Sequence, residues 1–192
     1  METKSIMIVG VGGQGTLLAS KLLGRLLLSR GCDVKVSEVH GMSQRGGSVV
    51  TYVRYGDRVY SPIIDKGQAD IILSFELLEA ARYTEYCKPN GQIITNSQQV
   101  NPMPVITGAA EYPAGLEDKI RAMGLQLDSL DALSLAEKAG SSKAVNLVLM
   151  GRLSRFFDFT REEWLQAIEQ SVPAKFLEMN RKAFLLGRGE EA

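Results

Sequence analysis

The sequence predicts an α/β protein: a mostly parallel sheet with flanking helices, an inserted β-hairpin and a helical C-terminus, in one domain over residues 1–192. Three observations carry this reading. Short continuous apolar runs such as Ser5–Val9 and Asp70–Ser74 match strands covered on both faces. Between such runs, apolar residues recur at three- and four-residue steps, the spacing of a helix with one buried stripe. No repeat, low-complexity tract or linker divides the chain, so the alternating elements belong to one layered unit.

In order, Ser5–Val9 is the first strand. Leu18, Leu22, Leu23, Leu26 and Leu27 make the buried stripe of a helix over Thr16–Arg30, and Gly31 stands where a C-terminal cap glycine belongs. Asp33–Val39 is a second strand, which completes a βαβ unit with an expected right-handed crossover. Ser48–Tyr55 is rich in Val, Thr and Tyr and precedes the turn signal Gly56-Asp57. With Arg58–Ile64 as its second arm it reads as a hairpin, Pro62 holding that arm short or at an edge. Asp70–Ser74 is a strand, Glu76–Cys87 a helix and Gln92–Thr95 a strand, with a further short strand at Val105–Thr107. Leu116–Met123 is a helix and Leu125–Leu130 the last strand. The remainder is helical over Asp131–Ala139, Ala144–Arg155, Thr160–Gln170 and Ala174–Leu186, with a capping box at Thr160–Glu163.

Bulk properties exclude several classes. Lys plus Arg equals Asp plus Glu at 22 each, so no overall field draws the chain to nucleic acid or an anionic membrane. The two cysteines, Cys32 and Cys87, are too far apart for a CxxC pair and too few for a cluster site, and they read as reduced thiols of a cytoplasmic protein. Cys32 reads as a small buried hydrophobe. The single histidine, His40, excludes a His-rich zinc site. Neither a signal peptide nor a transmembrane span is expected.

Two glycine-rich segments stand out. Gly10-Val11-Gly12-Gly13-Gln14-Gly15 fits G-x-G-x-x-G between a strand and a helix, which makes the predicted sheet Rossmann-like. A helix start offers unpartnered N–H groups and a positive dipole end, so this loop is either an anion cradle or a plain tight turn. In the cradle reading, Gly12 permits a phosphate to approach and Gly15 lets the helix pack on the strand. The second segment is Ser43-Gln44-Arg45-Gly46-Gly47, expected beside the first at the carboxyl ends of the strands. Arg45 would supply a planar fork of donors for phosphate or carboxylate, and Gly46 and Gly47 a close backbone approach. The candidate binding residues are therefore Gly10, Gly12, Gly13, Gln14, Gly15, Ser43, Gln44, Arg45, Gly46 and Gly47. Glu38 is either a ribose reader or an exposed strand-end carboxylate, and His40 either an acid–base group or a structural residue. Ser43 lacks the partners of a hydrolase triad. Met42 and Trp164 read as packing residues. The basic residues Arg152, Arg155, Arg161, Lys175, Arg181 and Lys182 read as solvated faces or a subunit contact.

Together these segments resemble the gamma-type domain of the 2-oxoacid:ferredoxin oxidoreductases. The run His40-Gly41-Met42-Ser43-Gln44-Arg45-Gly46-Gly47 is similar to that of the family's indolepyruvate members, where pyruvate-type members carry Tyr-Gly-Pro-Glu before Arg-Gly-Gly. Ser61-Pro62-Ile63, Ala69–Ser74 and Asn146–Gly151 extend the likeness over nearly the whole chain. The resemblance implies oxidative decarboxylation of a 2-oxoacid with coenzyme A to an acyl-CoA, carbon dioxide and reduced ferredoxin. It implies thiamine diphosphate and iron–sulfur clusters in the complex. This chain carries neither a Gly-Asp-Gly…Asn-Asn thiamine signature nor enough cysteines for a cluster, so a larger alpha subunit is expected to hold both, with ferredoxin docking on the complex. The chain itself is expected to have no catalytic residue and no tightly held cofactor. Alone it is expected to self-associate as a two-fold dimer through an apolar patch on its C-terminal helices or on Tyr52–Ile64. The competing readings are a stand-alone nicotinamide or flavin protein and a non-catalytic interaction module.

Overall fold

The computed structural model describes residues 1–40 and 46–190. In chain order the elements are β1 (Lys4–Val11), α1 (Thr16–Ser29), β2 (Asp33–His40), β3 (Ser48–Gly56), β4 (Ala69–Ser74), α2 (Leu77–Arg82), β5 (Cys87–Asn96), α3 (Met103–Ile106), α4 (Leu116–Ala122), β6 (Gln126–Leu130), α5 (Ala132–Ala139), α6 (Val145–Ser154), α7 (Arg161–Glu169) and α8 (Leu177–Arg188). The strands form one six-stranded sheet in the order β2-β3-β1-β4-β5-β6. β1, β4, β5 and β6 run parallel, whereas β3 is antiparallel to both β1 and β2.

β1 shows why its apolar run is unbroken. Ile6 to Val9 are at most 1% exposed, and they alternate between two cores because successive side chains leave a strand on opposite faces. Ile6 and Ile8 join the larger core, with the α1 stripe Leu22, Leu23, Leu26 and Leu27 and the apolar sides of α5 to α8. Met7 and Val9 join the smaller one, with Ile72, Ala80, Ile93 and Ile120.

On the larger side α6 and α8 touch backbone to backbone. A Cβ on Gly187 would stand 1.9 Å from the Val148 carbonyl oxygen, and one on Gly151 2.0 Å from that of Phe184. Trp164 is fully buried, 5.6 Å from the Phe184 ring and edge-on to Phe157 at 5.8 Å. The expected capping box is present: Thr160 Oγ1 accepts from Glu163 N, and Glu163 Oε2 accepts from Thr160 N.

Three expectations need correction. The hairpin exists, but its arms are β2 and β3, which pair from Asp33↔Gly56 to His40↔Val49. Arg58–Ile64 forms no strand; the Arg54 guanidinium donates to the Ser61 and Ile63 carbonyls, and the Val59 amide donates to Asp33 Oδ2. β3 therefore lies between the two strands of the expected βαβ unit. The helix at Glu76 stops at Arg82, and after a 3-10 turn Cys87 already belongs to β5. Val105–Thr107 is not a strand, since Met103–Ile106 is one helical turn with a proline inside it. No helix among the described residues is long and apolar enough to cross a membrane.

Candidate functional site

β1 and β4 are adjacent parallel strands whose following helices pack on opposite faces, α1 in the larger core and α2 in the smaller. A crevice opens between such strands at their carboxyl ends, and in open α/β sheets this is where ligands bind. The turn Gly10–Gly15 forms its rim.

Gln14 braces the turn. Its Oε1 accepts from the Val11 amide at 2.7 Å and its Nε2 donates to the Phe75 carbonyl at 3.3 Å. The Phe75 amide in turn donates to the Val9 carbonyl at 2.9 Å. Gly10 leaves room for this brace, because a Cβ there would lie 2.8 Å from Gln14 Oε1 and 2.9 Å from Phe75 Cβ. Gly13 and Gly15 have φ of +98° and +91°, the left-handed region that side chains resist. Gly15 caps α1, and a Cβ on it would lie 2.8 Å from Asn146 Nδ2 on α6.

The two glycine segments meet. The Gly12 amide donates to the Gly47 carbonyl at 2.9 Å, so Gly12 serves the junction rather than a ligand, a limit on the cradle expected from the sequence. The amides of Gly13, Gly15 and Thr16 take no acceptor among the described residues. No acidic side chain lies in the first turn of α1, so its positive end is not neutralised there. Gly12, Gly13, Gly15 and Thr16 line a cleft of about 350 Å³ together with Leu17, Glu38, His40 and Val49. Glu38 Oε2 accepts from Thr51 Oγ1 at 3.1 Å, and His40 is exposed at the end of β2. Gly46, with φ +78°, lines a second, smaller cleft on the other side of the turn. Ser43, Gln44 and Arg45, like Met42, lie outside the described residues.

The second cleft, about 110 Å³, holds residues that sequence reasoning missed. Glu76 is 1% exposed at the end of β4 and caps α2. Its Oε2 accepts from the Glu79 amide at 2.8 Å; its Oε1 accepts from the Val100 amide at 3.0 Å and from Tyr112 OH at 2.6 Å. Burial, and then the Glu76 carboxylate beside it, raises the Tyr112 hydroxyl well above its ordinary pKa. Glu79 is 5% exposed; it accepts from Ser48 Oγ and pairs with Arg82 Nε at 3.2 Å. Burial raises its pKa, the Ser48 hydrogen bond and Arg82 oppose that, and Glu76 adds to it. Ser48 Oγ also lies 3.2 Å from Tyr83 OH. Glu79 thus holds Ser48 at the start of β3, immediately after the second glycine segment, while Glu76 ties α2 to Val100 and Tyr112. The available signal was a pair of glutamates three residues apart at the carboxyl end of an apolar strand.

The chain's own donors do not suit an iron–sulfur cluster. Cys32 is half-buried against the larger core, while Cys87 is buried in the smaller, on the opposite face of the sheet. Burial pushes the Cys87 thiol up to about 11, away from the thiolate that a cluster iron binds.

The family model described as pyruvate ferredoxin/flavodoxin oxidoreductase matches residues 5–190. The indolepyruvate oxidoreductase subunit IorB of Pyrococcus horikoshii is 45% identical over 193 residues, with 97% of this chain and 95% of that protein covered. A keto/oxoacid ferredoxin oxidoreductase gamma subunit from Geobacter sulfurreducens has a similar structure, with a TM-score of 0.71, 24% identity, and 96% and 95% of the two chains covered. So does a 2-oxoglutarate:ferredoxin oxidoreductase from Magnetococcus marinus, solved with 2-oxoglutarate, coenzyme A and succinyl-CoA bound, at a TM-score of 0.75 and 16% identity. There the match covers 98% of this chain and 31% of the other. With a match that runs from β1 to the end of α8 and takes in both glycine segments, the chain belongs to the pyruvate ferredoxin/flavodoxin oxidoreductase family.

Proposed function

We propose that this chain is the accessory subunit of a 2-oxoacid:ferredoxin oxidoreductase that acts on aryl pyruvates such as indolepyruvate. The reaction converts the 2-oxoacid and the coenzyme A thiol into an acyl-CoA thioester, carbon dioxide and one proton. Two electrons leave through iron–sulfur clusters to ferredoxin. Thiamine diphosphate, which stabilises the carbanion left by decarboxylation, and the clusters belong to a larger alpha subunit. The chain alone is inactive and works in the cytoplasm.

The chain's own task in this reading is to receive the anionic part of coenzyme A. The observation that carries it is the junction of the two glycine segments at the Gly12–Gly47 hydrogen bond, with the Gly13, Gly15 and Thr16 amides beside it taking no acceptor among the described residues. Neutral amides fixed at a helix start hold phosphate without reorganising. Arg45, two residues before Gly47, supplies the charged contact. The coenzyme A named for the Magnetococcus marinus enzyme agrees in substrate class.

The test is Arg45→Ala in the complex reconstituted with the larger subunit. The KM for coenzyme A is expected to rise at least tenfold, with kcat within about twofold and assembly intact, the pattern of lost ground-state binding. An unchanged KM in an intact complex rejects the anion site. Micromolar binding of NADH by the isolated chain, read by fluorescence, would instead favour a nicotinamide protein.

A further inference from the structure

We propose that the outer edge of β2, with the outward stripe of α1, docks a second copy of this chain, so that two sheets join edge to edge about a two-fold axis. Among the described residues β2 ends the strand order and pairs on one side only, in unbroken register with β3. None of its residues is buried, and Val36 and Val39 are 47% and 54% exposed. Long edges are usually blunted by proline, a bulge or a covering segment. β2 contains no proline and no register shift. Beside it, Leu17 and Leu28 of α1 are 48% and 60% exposed. They lie three turns apart, within about 20° of one another around the helix. Gly24 shares their stripe, and its Cβ position is 4.0 Å from Val36 Cγ2. The strip is neither of the two segments the sequence suggested for self-association.

Both elements are compatible with one common axis. Antiparallel packing of α1 on its own copy sets Leu17 against Leu28 if the axis passes midway between them, near Leu22 and Leu23. That point is about 2 Å along the helix from Gly24, which the Gly24–Val36 contact locates beside Val36 and Ser37. Antiparallel pairing of β2 with itself requires opposed residues to lie on the same face, so the axis must pass through a residue. Through Ser37 it opposes Val36 to Glu38 and Lys35 to Val39, with no like charges facing. Strands about 4.8 Å apart, with α1 packed over β2 and β3, bring the two helices to roughly 10 Å, the spacing of packed helices. Exposed Lys21, between the leucines, then stands near Glu38 of the second copy. Leu17 and His40 also line the α1 cleft, so the second copy closes one of its flanks. The contact does not depend on the reaction assigned above.

The test uses the full chain, alone and in complex with its larger subunit, in a Cys32→Ser background. Ser37→Cys would face its own copy at a Cα separation of about 5 Å, within reach of a disulfide, whereas Lys35→Cys would not. Ser37→Cys is expected to oxidise to a covalent dimer both alone and in the complex. The parent chain is expected to sediment as a dimer at micromolar concentration. Val36→Lys with Leu28→Asp is expected to weaken that dimer at least tenfold while far-UV circular dichroism is retained. A monomer at high micromolar concentration, no Ser37→Cys cross-link, or a cross-link lost in the complex overturns the proposal. These outcomes read self-association of chains that keep Arg45, whereas the Arg45→Ala test compares coenzyme A KM between complexes that keep β2 and α1 unaltered, so the two readings fail separately.

Discussion

The α6–α8 contact and the β1–α1 turn both depend on glycine, for opposite reasons. At Gly151 and Gly187 the backbone is ordinary helix and the space is full: a methyl group would land within 2.0 Å of a carbonyl oxygen. At Gly13 the space is open, with no atom of the described residues beyond its chain neighbours within 4 Å of a Cβ, and only the positive φ calls for glycine. The first pair lets two helices touch. The second keeps backbone amides uncovered at the mouth of a cleft. Open space with positive φ recurs at plain helix caps such as Gly115 and Gly189, so it is the place of Gly13 at the cleft that matters, whereas a glycine pressed on backbone points to packing.

Substitution can break this contrast. Gly187→Ala is expected to be the most damaging, because the obstacle is main chain that cannot rotate away; a loss of about 3 kcal/mol or more should appear in urea denaturation. Gly15→Ala should cost less, about 2 kcal/mol, from its left-handed φ and from the Asn146 amide, which can swing aside. Gly13→Ala carries only the backbone cost, about 1 kcal/mol. If Gly13→Ala destabilises more than Gly187→Ala, the contrast is wrong.

The smallest effect concerns the carboxylate beneath the second glycine segment. Burial raises the folded-state pKa of Glu79 above its unfolded value, so the folded chain holds this proton more tightly than the unfolded one. Ionising Glu79 therefore costs stability as pH rises from the ordinary glutamate value through the raised one, and that cost vanishes at pH values below both. Glu79→Gln should remove this slope. The stability difference between variant and parent is expected to move in the variant's favour as pH rises across that window, in denaturation curves from pH 4 to pH 7. A difference that does not change with pH would mean that Glu79 is solvated as an ordinary surface carboxylate.

Local signals were enough for much of the fold. The β1 run, the α1 stripe and the Thr160–Glu163 cap each depend on residues within a few positions of one another. What local signals could not reach was pairing. Gly56-Asp57 does end β3, but Asp33–His40 takes the neighbouring ladder by a pairing distant in sequence, while Asp33 and Arg54 hold Val59, Ser61 and Ile63 outside it. Glu76 and Glu79 read only as the start of a helix, because nothing nearby reveals that Tyr112 and Ser48 arrive from elsewhere to satisfy them. The glycine loop was placed correctly, but the partner of the Gly12 amide was not foreseeable from a pattern that records only residue types.

That partnership runs from main chain to main chain, which makes it invisible to conventional mutagenesis. Neither Gly12 nor Gly47 has a side chain to remove, and alanine at either position keeps the N–H and the carbonyl, so an alanine scan does not delete this tie. Proline at position 12, which deletes the donor, or an ester in place of that amide severs it directly. The tie therefore fastens the turn before α1 to the β2–β3 connection without calling on any side chain.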